Sequence, residues 1–192
     1  MNLRSLIAAL TLALAACQQP VPPAPLAGAK IGGPFTLVDQ DGRTRTERDF
    51  AGRWRIMYFG YTFCPDVCPV DMRNLAQGYR KFADANPERA ARVVPIFVTV
   101  DPDRDTPEIV KGFVRAFDPA VVGLTGTTEQ VAAAAKAWVV VYQLNKKPGQ
   151  EAYLVDHSRA AYLMDPDNKP VALLSQDEKP AVIAAELDKW VR

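Results

Sequence analysis

A mixed α/β sheet flanked by helices is the fold class that this 192-residue chain predicts, and three observations point to it. Two apolar runs, Ile56 to Phe59 and Val93 to Val100, have the length and the Val, Ile and Phe content of buried strands. Stretches of helical period follow these runs, so strands and helices alternate. Towards the C-terminus the alternation gives way to two strand-like runs split by Asp165-Pro166-Asp167-Asn168, the signature of a hairpin. With 48% hydrophobic residues there is material for one core, and a net charge of +1 argues against nucleic acid as a partner.

The first residues stand apart from the fold. Arg4 followed by the apolar run Leu6 to Ala16 has the layout of an export signal and is too short to span a bilayer. The run ends Leu14-Ala15-Ala16-Cys17, which resembles the lipobox of bacterial lipoproteins and so implies that Cys17 is lipidated and becomes the mature N-terminus. An ordinary cleaved signal with a chance cysteine is the alternative. Residues 1–16 are thus expected to be a signal peptide, 17–30 a lipidated tether rich in proline, and 31–192 the domain.

Within the domain, Phe35 to Val38 alternates before the turn Asp39-Gln40-Asp41-Gly42, and Arg43 to Thr46 returns as the second arm of an N-terminal hairpin. Arg53 to Gly60 is the next strand. Asp71 to Ala85 places Met72, Leu75, Tyr79 and Phe82 at helical spacing, and Asn86-Pro87 ends that helix. Val93 to Val100 is the central strand and stops at Asp101-Pro102. Thr106 and Pro107 supply an N-cap and a first helical proline for a helix through Phe117. Val121 to Leu124 is a short strand, and Thr127 to Trp138 an alanine-rich helix capped by Thr127 or Thr128. Val139 to Leu144 reads as a strand, Tyr153 to Met164 contains a second strand-like run around His157, and Val171 to Leu174 is its hairpin partner. Glu178 to Val191 closes the chain as an amphipathic helix. A sheet of mixed strand directions with a C-terminal hairpin and helix suggests a thioredoxin-like domain.

Chemistry concentrates where the strand ending at Gly60 runs into Cys64-Pro65-Asp66-Val67-Cys68-Pro69. A helix starting at Pro65 would be broken by Pro69, so Cys64 to Val67 is expected as a tight turn, Cys68 as N-cap and Pro69 as the first helical residue. Both sulfurs then converge beside a helix N-terminus, where the dipole favours the thiolate that binds soft metals or attacks disulfides. With Cys17 assigned to lipid, Cys64 and Cys68 are the remaining pair in an exported, oxidising compartment. A structural disulfide would close too short a loop to add much stability. A working dithiol or a metal site is the preferred reading.

His157 is the single histidine of the chain, set in the polar group Asp156-His157-Ser158 between apolar segments. A lone histidine is more often a surface or core residue than a ligand. Here, however, a thioredoxin-like fold brings its loop against the cysteine turn. Two thiolates and one imidazole satisfy three-coordinate Cu(I), whereas structural zinc normally takes a fourth ligand. Copper is the better match, and counting alone leaves a catalytic zinc with an open position in play.

Three stretches, Gly60-Tyr61-Thr62-Phe63-Cys64-Pro65-Asp66-Val67-Cys68-Pro69, Val100-Asp101-Pro102-Asp103-Arg104-Asp105-Thr106 and Val155-Asp156-His157-Ser158, together resemble the SCO/SenC family, in family order. The resemblance covers most of the chain from Ile31. These are thioredoxin-like copper proteins that help assemble the copper centre of cytochrome c oxidase. The resemblance implies that Cys64, Cys68 and His157 bind copper, as Cu(I) and in a second form as Cu(II), and that the cysteine pair cycles between dithiol and disulfide. It implies the copper-receiving subunit of the oxidase as partner, with other periplasmic copper carriers or thiol reductants beside it. The location that follows is the bacterial cell envelope, lipid-anchored to a membrane and facing the periplasm. Asp101 enters as a secondary residue, at a strand end from which it would tune the cysteines or meet a partner. Two departures stand out: Phe63 occupies the place where many members carry histidine, and Cys17 replaces the N-terminal membrane helix of many relatives.

Asp101, Asp103 and Asp105 alternate like the acids of a calcium loop, but Thr106 stands where glycine is required and Gly112 where the closing glutamate belongs. A turn leading into a capped helix is the plainer reading. Two further functions compete with a metallochaperone that is not itself an enzyme. A thiol–disulfide oxidoreductase that keeps the oxidase's copper-ligand cysteines reduced would use the same sulfurs. Against it, three residues rather than two separate them, and Asp156 to Met164 holds no proline. A peroxiredoxin-like peroxidase fits worse, since Thr62 lies two residues before Cys64 rather than three and Met57 occupies the position of that family's proline.

Overall fold

The computed structural model describes residues 23–147, 149 and 152–192, so the export signal and Cys17 lie outside the described residues. In chain order the elements are β1 (Thr36–Asp39), β2 (Thr44–Thr46), β3 (Trp54–Gly60), α1 (Val67–Ala85), the single turn α2 (Pro87–Ala90), β4 (Val93–Thr99) and α3 (Pro107–Arg115). There follow β5 (Val122–Thr125), α4 (Thr128–Ala137), β6 (Tyr142–Leu144), β7 (Val155–His157), β8 (Ala161–Met164), β9 (Pro170–Leu174) and α5 (Pro180–Trp190). A 3-10 turn, Glu47–Phe50, links β2 to β3.

Seven strands form one mixed sheet in the order β2-β1-β5-β4-β3-β8-β9. β3, β4 and β5 are parallel, and β1 and β8 are added antiparallel on either side of them, which gives a thioredoxin-like sheet. Every residue of β3 and β4 is buried, as strands covered on both faces must be. Alternation along β3 divides the layers. Tyr58, stacked with Phe97 of β4, faces α1 and α3: its hydroxyl meets Asp71 of α1, and Phe97 lies 4.9 Å from Phe113 of α3. Phe59 points the other way and packs on Trp138 at the end of α4. Burial of Phe59 and of Phe97 each contributes about 1.5–3 kcal/mol. α5 crosses α1 so closely at Gly78 that a Cβ there would sit 2.6 Å from the Ile183 side chain.

β3 and β4 are in register from Trp54↔Val93 to Gly60↔Thr99, so both end on one edge of the sheet. From that edge leave the cysteine turn and the acidic turn. Sites in open α/β sheets gather at such carboxyl ends of parallel strands.

Two segments differ from the sequence expectation. The run Val139 to Leu144 is a strand only from Tyr142, because the chain first completes a Schellman ending to α4. Val140 N–H reaches the Ala135 carbonyl (2.8 Å), Val139 N–H reaches Lys136 (3.2 Å), and Val139 takes the left-handed conformation, φ 56°, usually left to glycine. Likewise Tyr153 to Met164 is two strands. β7 pairs only with β6 in a separate ribbon, whereas β8 joins the main sheet beside β3. Residues ahead of Ile31 also lie along the domain: Leu26 N–H donates to the Val171 carbonyl at 3.0 Å, and Ala24 and Leu26 pack on the core. No helix among the described residues is long and apolar enough to cross a membrane.

Candidate metal centre

α1 begins at Val67, two residues before the start expected from Pro69. Asp66, not Cys68, holds the N-cap position, and its side chain makes no capping bond. Pro69 is tolerated as third helical residue because first-turn N–H groups have no intrahelical acceptor, and the carbonyl four residues back precedes the helix. Part of the missing cap is supplied by sulfur, since Cys68 N–H donates to Cys64 Sγ at 3.4 Å. Both cysteines are free thiols, Cys64 at 8% exposure and Cys68 at 0%. Burial disfavours ionisation of Cys64, but backbone N–H groups of Cys68, Asp66 and Val67 outweigh it and hold this thiol below its ordinary value. Cys68 lies deeper, and burial pushes it up to about 12.

His157 ends β7, opposite Tyr142 of β6. Its Nε2 lies 3.2 Å from Cys68 Sγ, and its Nδ1 lies 3.2 Å from the Ser158 carbonyl oxygen. A carbonyl only accepts, so Nδ1 carries the hydrogen and Nε2 turns its lone pair to the sulfur, where it accepts from the Cys68 S–H. Burial lowers the pKa of the ring below 6.5 and favours this neutral form. Tyr58 and Tyr61 both meet the imidazole edge to face, at 6.5 and 6.0 Å.

Beneath these three residues is a tightly bonded polar layer. Asp71, at 0% exposure and one turn beyond Cys68, accepts from the Tyr58 hydroxyl (2.8 Å) and from Arg159 Nε and Nη2 (3.0 and 2.6 Å). Asp105 accepts from Thr62 N–H (2.9 Å), Thr62 Oγ1 (2.5 Å) and Thr99 Oγ1 (2.5 Å), which fixes the stem of the cysteine turn to the end of β4. Gly60 leaves room for Cys68: a Cβ there would stand 3.0 Å from its sulfur.

Soft sulfur and imidazole are the donors that copper and zinc take, and Cys68 meets both of the others, Cys64 Sγ through its backbone N–H and His157 Nε2 through its sulfur. Among the described residues no three His, Cys, Asp or Glu side chains already surround one point at metal-binding spacing. Uptake of an ion would therefore replace the S–H···Nε2 contact and draw the side chains together, releasing thiol protons.

The model of the SCO1/SenC family matches residues 23–192. The chain belongs to the SCO1/SenC family. It is 45% identical over 159 residues to protein SenC of Rhodobacter capsulatus, covering 82% of this chain and 69% of that one. To the mitochondrial SCO1 homolog of Mus musculus it is 37% identical over 84% of its own length but only 56% of the relative, so it spans little more than half of that protein. Among solved structures, the copper-bound ScoI of Arabidopsis thaliana is similar with a TM-score of 0.76, at 37% identity, over 83% of this chain and 96% of that one.

The other residues marked in the sequence have places in this SCO1/SenC domain. Phe63 is half exposed and stacks under the Arg104 guanidinium, 5.0 Å from the ring centre, on the wall of a cleft of about 490 Å³. Asp101 is buried and taken up by Tyr153 Oη (2.6 Å) and Arg104 Nε (2.5 Å), so its carboxylate reaches the cysteine turn through Arg104, which also stacks on Tyr61. Asp103 faces Lys146, so the three alternating acids point to three different partners rather than to one ion. Thr106 caps α3 as the plainer reading of that turn requires. Sequence reasoning missed Asp71 and Arg159, and it weighed Asp105 only as one of three alternating acids rather than as the anchor of the cysteine turn. Asp71 carried a signal, an acid on the apolar stripe of α1 between Cys68 and Met72. Arg159 carried none.

Proposed function

We propose that this chain is a copper carrier of the bacterial cell envelope, held by lipid at Cys17 and facing the periplasm. It binds copper through Cys64, Cys68 and His157 and assists assembly of the copper centre of cytochrome c oxidase. The observation that carries this reading is the 3.2 Å approach of His157 Nε2 to Cys68 Sγ, made by residues 89 positions apart, one at the end of β7 and the other in the first turn of α1. Membership of the SCO1/SenC family and the copper held by the Arabidopsis ScoI support it.

The chain's residues would act in sequence. Cys64, the more accessible sulfur with the lowered pKa, meets the metal first. Cys68 and His157 then close around it, and the neutral imidazole presents its lone pair without losing a proton. Cu(I) passes on by ligand exchange to cysteine and histidine groups of the copper-receiving oxidase subunit. Competition titration with a chromophoric Cu(I) chelator tests this. One tightly held Cu(I) per chain is expected, with affinity lost in Cys64→Ser, Cys68→Ser and His157→Ala. Unchanged affinity in the His157 variant would remove the reading.

The unequal thiols also favour a second reading, a thiol–disulfide reductase serving the oxidase's own cysteines. A slightly accessible thiol of lowered pKa beside a fully buried one of raised pKa is the division expected of an attacking and a resolving cysteine. Reduction of an oxidised acceptor peptide by metal-free His157→Ala protein would select this alternative.

A further inference from the structure

His157 lies outside the main sheet. β7 pairs only with β6, the ribbon leaves α4 through the left-handed Val139, and Ser158 N–H donates to the Val141 carbonyl at 2.8 Å. The start of β7 is held to the main body by Tyr153, bonded to Asp101 and Arg104, and by the buried Val155, whereas its His157 end has no backbone bond to the main sheet among the described residues. Cys68 belongs to α1, which packs on the main sheet. One bidentate contact bridges the two: Arg159, two residues after His157, grips with Nε and Nη2 the fully buried carboxylate of Asp71, three residues after Cys68. The fork matches a carboxylate in both distance and direction, so it fixes an angle as well as a separation. A weaker parallel tie runs from Asn74 to the Gln176 carbonyl and from Gln176 Nε2 to the Arg159 carbonyl, at 3.1 and 3.4 Å.

We propose that the Arg159–Asp71 pair is the clamp that sets the approach of the His157 imidazole to the Cys68 sulfur, with Arg159 as a positioning residue for the metal site. The part that concerns metal rests on the ligand reading above; the part that concerns the metal-free contact does not. Tyr58 belongs to the same device, since its hydroxyl is a third donor to Asp71 and its ring meets the imidazole edge to face. Loosening the clamp frees the His157 end of the ribbon to move away from the sulfur, and the three ligands then pay the ordering entropy themselves when the ion arrives.

The test is a double-mutant cycle of Arg159→Ala and His157→Ala in the full chain, read by Cu(I) competition titration, with imidazole nitrogen-15 NMR on the metal-free protein. In the wild-type background Arg159→Ala is expected to weaken Cu(I) binding about 10- to 100-fold, the usual cost of removing a group that orients a ligand. In the His157→Ala background it should change affinity less than about threefold, because the residue it positions is gone. The Nε2 resonance of metal-free Arg159→Ala should move away from its hydrogen-bonded position. Wild-type affinity together with an unmoved resonance overturns the clamp, as do equal losses in both backgrounds, which would mark a general effect of charge or stability. If His157→Ala itself binds Cu(I) as wild type does, the ligand reading fails, and the resonance shift alone then decides whether the clamp stands. Arg159→Lys, at a position 37% exposed, keeps the cation but not the fork and serves the same readouts if Arg159→Ala does not fold.

Discussion

Cys64 and Cys68 carry the same side chain in opposite surroundings, and the difference is electrostatic. Around Cys64 the backbone N–H groups at the start of α1 outweigh burial; around Cys68 nothing does, and its proton stays shared with His157 Nε2. Alkylation follows the thiolate, whose fraction rises as pH climbs through the pKa. The metal-free chain exposed to iodoacetamide and followed by peptide mass spectrometry is therefore expected to label Cys64 first, with a rate midpoint below that of an ordinary thiol. Cys68 should stay unlabelled through pH 9 while the fold holds. Equal labelling of the two at pH 8 would contradict this account. At this scale the sequence was most legible where residue types are scarce: two cysteines spaced around proline and one histidine stand out of any composition. Arg159 was not legible, because one arginine among 23 basic residues gains meaning only when the ribbon folds it onto α1.

Elements were legible in proportion to how local their causes are. The caps Thr106 and Thr127, the alternation of β1 and the hydrophobic stripe of α1 are written in neighbouring residues, and the structure has them all. The start of α1 was misplaced by two residues because Pro69 is read as a first helical residue when its third place in the first turn is equally free of an intrahelical bond. The split between β7 and β8 was hidden because both lie in one strand-like stretch and only partner strands tell them apart. Asp105 shows how elements are joined at the site. Its carboxylate binds the stem of the cysteine turn and the end of β4, and its carbonyl accepts from Thr125 of β5 at 2.7 Å. Asp105→Ala leaves the Thr62 N–H and two hydroxyls unanswered in the interior and should cost about 2–4 kcal/mol in denaturant unfolding. Burial raises the Asp105 pKa above its ordinary value, and Asp105→Asn keeps one oxygen acceptor in place, so it should cost less than Asp105→Ala. A larger loss for Asp105→Asn would show that the charge itself holds the turn.

For the whole molecule, ligand groups, protons and stability form one linked system. Burial holds His157 below 6.5, so just below that pH the unfolded chain binds more protons than the folded one. The contribution of the neutral ring is complete above 6.5 and lost as pH falls through the folded value, which gives the metal-free chain an acid limb that His157→Ala should flatten. Copper bound to the folded state alone adds RT ln(1 + [L]/Kd), about 2.7 kcal/mol at a hundredfold excess over Kd. For a chain of this length that is about 5–11 °C of melting temperature. Two corrections have known sign. Cys64 and Cys68 of the unfolded chain also bind Cu(I), which trims the gain, and thiol protons compete with the metal, so the gain shrinks as pH is lowered. Calorimetry with and without Cu(I) from pH 5.5 to 8 should therefore show two melting curves that diverge as pH rises and coincide in Cys64→Ser/Cys68→Ser. Coincidence in the wild type at pH 8 would mean that folding builds no better site for the ion than two thiols on a flexible chain already offer.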